Sequence, residues 1–254
     1  MTKLTAEAKD FLGRVEDKAD IVLRRHIEQV TEFVDPYLKN CACEFLKNIS
    51  GINYAAYGGV DGAERQRIVI CPDYSEPELS MAQLCLVEFT GKLDHINSSH
   101  RDFLGALLGQ GIKRGKVGDL YPIENGFIVV ISRELADFIL LGPIVIKGVS
   151  LEAQILKPNH WEPLQSAGKI VNTTLASLRL DTVLANGFGI SRTKVTSFIK
   201  GGKVKVNWQV VVDTDHLCSQ DDVISFRGKG RIIVSNVSGE TRKGRLKVTI
   251  TRYE

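Results

Sequence analysis

The chain has no apolar run near the roughly 20 residues that a membrane-crossing helix needs. Met1 to Asp10 contains no apolar signal-peptide core. A cytoplasmic location is expected, or an organelle equivalent after processing. Cysteine is sparse and scattered: Cys41, Cys43, Cys71, Cys85 and Cys218 make an odd set. Cys41 and Cys43 do not have metal spacing, and no second cysteine pair or histidine pair completes a zinc site. Reduced, buried thiols are expected, and no metal site. A phosphate-binding Walker loop is excluded, because Lys116 is followed by Val117 rather than Ser or Thr. His100-Arg101-Asp102 has the letters of a kinase catalytic loop, but the Asp-Phe-Gly and glycine-rich partners are missing. A methyltransferase glycine loop, a Ser-His-Asp set and an HExxH helix are missing as well. No catalytic residue and no cofactor is expected.

Charge is present but unevenly placed. The formal net charge is +3. Residues 178–254 hold 14 Lys/Arg against 7 Asp/Glu, whereas residues 1–177 hold 19 against 23. A basic C-terminal third is the electrostatic footprint of a polyanion binder.

Periodicity sets the expected elements. Phe11, Val15, Ala19, Val22, Ile27, Val30 and Phe33 recur at helical spacing, which predicts a helix over 4–34. Asp35-Pro36 ends it, and a second helix is expected from Tyr37 to Lys47. Residues 51–71 read as a hairpin around a glycine-rich turn, with a linker from Pro72 to Pro77. The next segment alternates strand 84–89, helix 100–108, strand 116–123, strand 127–131, helix 134–141 and strand 149–156. That order is β-α-β-β-α-β, the split βαβ plan of ferredoxin-like and RNP-like folds. Phe127-Ile128-Val129-Val130 lacks the spaced aromatics that stack bases in RNP motifs. The fold class is therefore α+β in three parts. An N-terminal α/β piece (1–75) precedes a central ferredoxin-like domain (76–160). A linker (161–176) and a basic C-terminal module (177–254) follow.

The C-terminal module opens with two short helical patterns. Ser177 is read as the cap of the first, and Gly187 and Gly189 as its left-handed end. Ser191 caps the second, and Gly201-Gly202 stops it. Arg192 and Lys194 lie at the start of this second helix, where the dipole already favours anions. Alternation at Val204, Val206, Val210 and Val212 then reads as strand. Five short runs follow one another in this stretch. They are Arg179-Leu180-Asp181, Ser191-Arg192, Ile199-Lys200-Gly201-Gly202-Lys203-Val204-x-Val206-Asn207, Asp222-Val223-Ile224 and Arg227. Together they resemble the S4 RNA-binding domain. One departure bears on geometry: Trp208 follows Asn207 where that family has glycine, which works against a tight Asn-Gly turn.

The stretch His100–Asp119 and the three-part order resemble the YlmH family of S4-domain proteins over nearly the whole chain. The resemblance implies a non-catalytic, ribosome-associated factor. It would bind rRNA and tRNA on the large ribosomal subunit, in quality control of stalled nascent chains. It also suggests links to cell division or photosystem function. The residues themselves reach only as far as structured RNA, read by shape and phosphate. No DNA or membrane partner is expected, and the chain is expected to be a monomer. Two other readings stand beside this one. Arg179-Leu180-Asp181 has the letters of a pseudouridine synthase motif, but lacks the following Thr-Ser-Gly. Asp181 is read instead as a first-turn acid and a partner for a nearby cation. The acidic N-terminal region would suit a protein–protein adaptor.

The expected RNA contacts in the C-terminal module are Arg179, Ser191, Arg192, Lys194, Lys200, Lys203, Lys205, Arg227, Lys229 and Arg231. In the central domain they are Arg101, Lys113, Arg114 and Lys116. The last three cations are flanked by Gly111 and Gly115, where a backbone can approach phosphate closely.

Overall fold

The computed structural model describes residues 4–93, 99–157, 161, 163 and 168–253. The chain divides into two compact units, Met1–Pro163 and Leu164–Glu254, and its fold is α+β. No helix among the described residues is long and apolar enough to cross a membrane.

In the first unit, helix α1 (Ala6–Arg25) is capped by Thr5, whose hydroxyl accepts the Ala8 N–H at 3.1 Å. Ala8, Phe11, Val15, Ala19 and Val22 form its buried stripe. The helix expected over 4–34 is shorter than its periodicity. His26 turns left-handed (φ 55°) and its N–H closes on the Val22 carbonyl. The chain then forms strand β1 (Gln29–Val30). Helix α2 (Pro36–Leu46) starts at Asp35, whose carboxylate accepts the Leu38 N–H at 3.0 Å, with Pro36 in its first turn. Strands β2 (Ile52–Tyr57) and β3 (Arg67–Pro72) complete a sheet of order β1-β3-β2. All six residues of the central strand β3 are buried.

The expected β-α-β-β-α-β segment is present. Its elements are β4 (Leu84–Thr90), α3 (His100–Gly109), β5 (Val117–Ile123), β6 (Gly126–Ser132) and α4 (Ala136–Leu141). A short strand the sequence did not suggest, β7 (Ile144–Ile146), then pairs with β8 (Val149–Leu156). The sheet order is β5-β6-β4-β8-β7, and neighbours are antiparallel. Phe127 is spent on the core: its ring lies 4.7 Å from Phe103, which packs at 5.0 Å on Phe89. Asp102 closes a capping box with Ser99 at the start of α3, accepting the Ser99 N–H at 2.9 Å. The His100-Arg101-Asp102 letters thus have a local structural use.

Hydrogen bonds within the first unit link residues on the two sides of positions 75 and 76. The Asp119 carboxylate accepts the backbone N–H groups of Glu64 and Arg65 at 2.6 and 3.2 Å. Arg65 donates to the carbonyls of Phe33 (2.6 Å) and Val117 (3.1 Å). Arg67, buried in β3, donates to Thr31, Ala82 and Gln83 carbonyls. Buried guanidinium groups need such acceptors, since an unmet buried charge is costly.

The second unit begins where a linker was expected. Residues 162 and 164–167 of that linker lie outside the described residues. Residues 169–175 are strand β9 (Lys169–Leu175), which pairs with β14 (Leu246–Tyr253) from Leu175↔Leu246 to Lys169↔Arg252. Only Leu175 of β9 is buried, so the backbone ladder holds this strand without an apolar pattern to announce it. Helices α5 (Leu180–Phe188) and α6 (Arg192–Lys200) follow. Then come β10 (Val204–Val206), β11 (Gln209–Val210), β12 (Val223–Phe226), β13 (Gly230–Glu240) and β14, in the order β11-β10-β12-β13-β14-β9. Val212 lies beyond the strand. Leu180, Leu184, Val195 and Ile199 pack with Val204, Ile224, Phe226, Ile232 and Ile250 as the core.

Three local expectations change here. Arg179, not Ser177, holds the cap position of α5. Carbonyls of His216 and Thr214 accept the first N–H groups of that helix, at 2.8 and 3.3 Å. Gly189 ends α5 in the left-handed region, but Gly187 stays helical, where a Cβ would come within 2.9 Å of Ile232. The β10–β11 turn forms without glycine. Asn207 and Trp208 both have positive φ (47° and 66°), and Val206 pairs with Gln209 across them. That is a two-residue hairpin turn of the primed kind. The left-handed backbone at Trp208 costs about 1–2 kcal/mol. Asn207 offsets it by donating to Asp222 (2.8 Å) and accepting the Val223 N–H (3.0 Å).

Candidate nucleic-acid interface

The expected contacts in the second unit fall into three groups. The first gathers at the starts of α5 and α6, around a single carboxylate. Asp181 is 4 % exposed, and accepts Arg192 Nη2 at 2.5 Å and Arg179 Nε and Nη2 at 3.4 Å. Arg179 also bonds Asp215. Burial pushes the Asp181 carboxyl up. Hydrogen bonds from Arg192, Arg179 and Thr182 outweigh it and hold the group below its ordinary range. The bond to Asp181 holds Arg179 above its ordinary range, against a smaller effect of burial. Asp181 is thus the first-turn acid and cation partner expected of it.

The two guanidinium groups remain outward. The side chains of Arg179 and Arg192 are 36 % and 57 % exposed. One buried carboxylate therefore fixes two planar donors at a surface, which limits the rotamer freedom lost when a phosphate arrives. Ser191 holds the cap position of α6, but its hydroxyl makes no capping bond, and Lys194 is exposed in the first turn.

The second group lies at the other end of α6, about 13 Å along a nine-residue helix. Lys200, Lys203, Arg227 and Lys229 are exposed there, and the Arg227 N–H bonds the Lys203 carbonyl at 2.9 Å. Lys203 Nζ sits 5.2 Å from the Phe198 ring. The third group is on the sheet. Lys205 pairs with Ser225, and Ser225 with Arg231, on the side away from the core valines and isoleucines.

The central cations are treated differently by the fold. Arg101 and Lys113 are exposed. Arg114 is turned inward, donating to the Val117 and Gly118 carbonyls. Burial, with Arg65 beside it, depresses its guanidinium to about 10. Lys116 pairs with Glu134 at 2.5 Å and lines a cavity of about 280 Å³ with Arg14, Lys18, Glu32 and Arg67. Burial, then Arg67 and Lys116, push the Lys18 amine below its ordinary value. Gly115 serves a protein contact: a Cβ there would lie 2.5 Å from Glu32, and the Gly115 carbonyl accepts the Phe33 N–H at 2.7 Å. Of the loop trio, only Lys113 is fully presented. Asp215, the second anchor of Arg179, was not legible beforehand, because 36 residues separate the two.

Cys218 is buried, and burial pushes its thiol up to about 12, far from a reactive thiolate.

Residues 178–224 match the S4 domain, and residues 77–157 match a putative RNA-binding domain in YlmH. The chain is 32 % identical over 250 residues to a Bacillus subtilis (strain 168) protein named ribosome-associated protein quality control protein P2. That match covers 98 % of this chain and 96 % of the relative. The solved structure of the cell division protein ylmH from Streptococcus pneumoniae shares the fold, with a TM-score of 0.50 and 24 % identity. It covers 61 % of this chain and 94 % of that one.

Proposed function

Because this chain belongs to the YlmH family of S4-domain proteins, we propose that it is a non-catalytic factor. In this reading it binds structured RNA on the large ribosomal subunit, rRNA and tRNA, in ribosome-associated quality control of stalled nascent chains. It works in the cytoplasm as a monomer. The observation that carries the reading is the pair of half-exposed guanidiniums, Arg179 and Arg192, anchored on Asp181 beside Lys194. Anchored planar donors suit phosphate, and a surface of several cations gains affinity from counterion release.

The same carboxylate argues against the pseudouridine synthase reading. Asp181 is buried and occupied by two arginines, so it has no open approach for a substrate base. Lys194, Lys203 and Arg227 complete the proposed phosphate contacts, with Lys113 and Arg101 as a separate set in the first unit.

Sedimentation with purified large subunits across a salt series tests this. The wild type is expected to co-sediment at low salt and to dissociate steeply as salt rises. A Lys194→Ala/Lys203→Ala/Arg227→Ala variant should lose attachment while keeping its melting temperature. Equal attachment of the two proteins at every salt concentration would overturn the reading. Mass spectrometry of RNA from a deletion strain tests the non-catalytic part, with no modification expected to be lost.

A further inference from the structure

The tip of the β10–β11 hairpin carries a large aromatic where the backbone favours a small residue. Asn207 suits its left-handed position, but Trp208 occupies the second one at φ 66°. Glycine would meet this geometry without strain. Packing does not account for the choice, since Trp208 is only half-buried and lies outside the core cluster. The turn is held in place from the side. The Asn207 N–H bonds the Val223 carbonyl at 2.8 Å, and the Asn207 amide bonds Asp222. Asp222 in turn accepts the Ser219 N–H at 2.7 Å. A strained residue that its surroundings hold fast is a mark of function.

The neighbours of the indole define its chemistry. The Arg231 guanidinium carbon lies 5.7 Å from the Trp208 ring centroid. Strand register sets Val210, Lys205, Ser225, Arg231 and Tyr253 in one row across five strands on the side opposite the core, with Val210 on the edge strand β11. Cations beside an accessible aromatic suit an unpaired nucleotide, whose base stacks while its phosphate meets charge. A paired base in an A-form helix has no free face to offer.

We propose that Trp208, backed by Arg231, is a stacking platform for one unpaired RNA base, with Lys205 meeting the adjoining phosphate. This rests on the RNA-binding reading above and adds to it a preference for a single-stranded nucleotide beside a structured RNA.

The experiment compares the full-length protein on two RNA probes, a blunt duplex and the same duplex with a five-uridine 3′ overhang. The wild type is expected to bind the overhang probe about tenfold more tightly, the scale of one base–aromatic stack. Trp208→Gly should abolish that preference, leave blunt-duplex affinity unchanged and raise the melting temperature, because glycine relieves the turn. Indole emission gives a second measurement. Trp161 and Trp208 are the two tryptophans, so in a Trp161→Phe background the overhang should quench the remaining signal and the blunt duplex should not. If Trp161→Phe perturbs folding, the difference between wild-type and Trp208→Gly emission gives the same quantity. An undiminished preference in Trp208→Gly, or a wild type that binds both probes equally without quenching, overturns the stacking platform and leaves the general RNA reading intact. A wild type that binds neither probe removes both.

Discussion

Asp181 and Arg192 meet at 2.5 Å across the start of the two helices, joining a buried acid to a half-exposed base. This contact makes Arg192 a structural residue as well as a candidate RNA contact. Sequence position alone suggests a surface cation that can be removed freely.

Arg192→Ala should therefore lower stability by about 1–3 kcal/mol, the cost of leaving a buried group short of a partner, moderated by the remaining Arg179. Lys194→Ala should leave stability within about 0.5 kcal/mol. Urea denaturation of the two variants measures the difference. Equal midpoints would show that Asp181 does not depend on Arg192.

The depressed Asp181 carboxyl gives a pH dependence of known sign. Its folded value lies below the unfolded one, so the charged form favours the folded state. That contribution is complete above the unfolded value, near pH 4, and is lost as pH falls through the folded value. Asp181→Asn should be less stable than wild type from about pH 5 to 7, with the gap closing as pH falls below about 4. Thermal melts across this range provide the measurement; a gap that widens toward acid would contradict the assignment.

The central loop should split by residue. Lys113→Ala should reduce the slope of log affinity against log salt by about 0.7–0.9 on ribosomal particles, as loss of one phosphate contact would. Arg114→Ala should leave the slope unchanged and lower stability by about 1–3 kcal/mol, since its bonds go to the Val117 and Gly118 carbonyls. Sedimentation and thermal melts of the single variants separate these effects. A slope change in Arg114→Ala larger than in Lys113→Ala would reverse the assignment.

Legibility in the sequence followed burial. The β-α-β-β-α-β order could be read because β4 alternates and β6 is a continuous apolar run, and the turn before Gly126 is marked by Asn125. Strand β9 could not, since its Lys, Asn and Thr side chains leave only Leu175 in the core. The α1 stripe ran past its helix because Val30 and Phe33 keep helical spacing while the backbone has already turned at His26. In the site, charge type and helix position marked Arg192 and Lys194. Direction was hidden: Arg114 and Lys113 are neighbours in sequence, yet one guanidinium points into the protein and the other amine to solvent. Asp181 was legible as a cation partner because Arg179 is two residues away, but Asp215 was not.

Strand β9 has one more effect, on the smallest piece of this protein that can be handled alone. Through its ladder with β9, β14 is an interior strand. A chain begun at Ser177 would leave the eight residues of β14 with one side of their N–H and C=O groups unpaired. Such an edge recruits strands from other copies. A piece starting near Gly168 carries its own cover, whereas one begun at Ser177 and kept to the end of β14 would self-associate, and the resulting particles would bind RNA through added avidity.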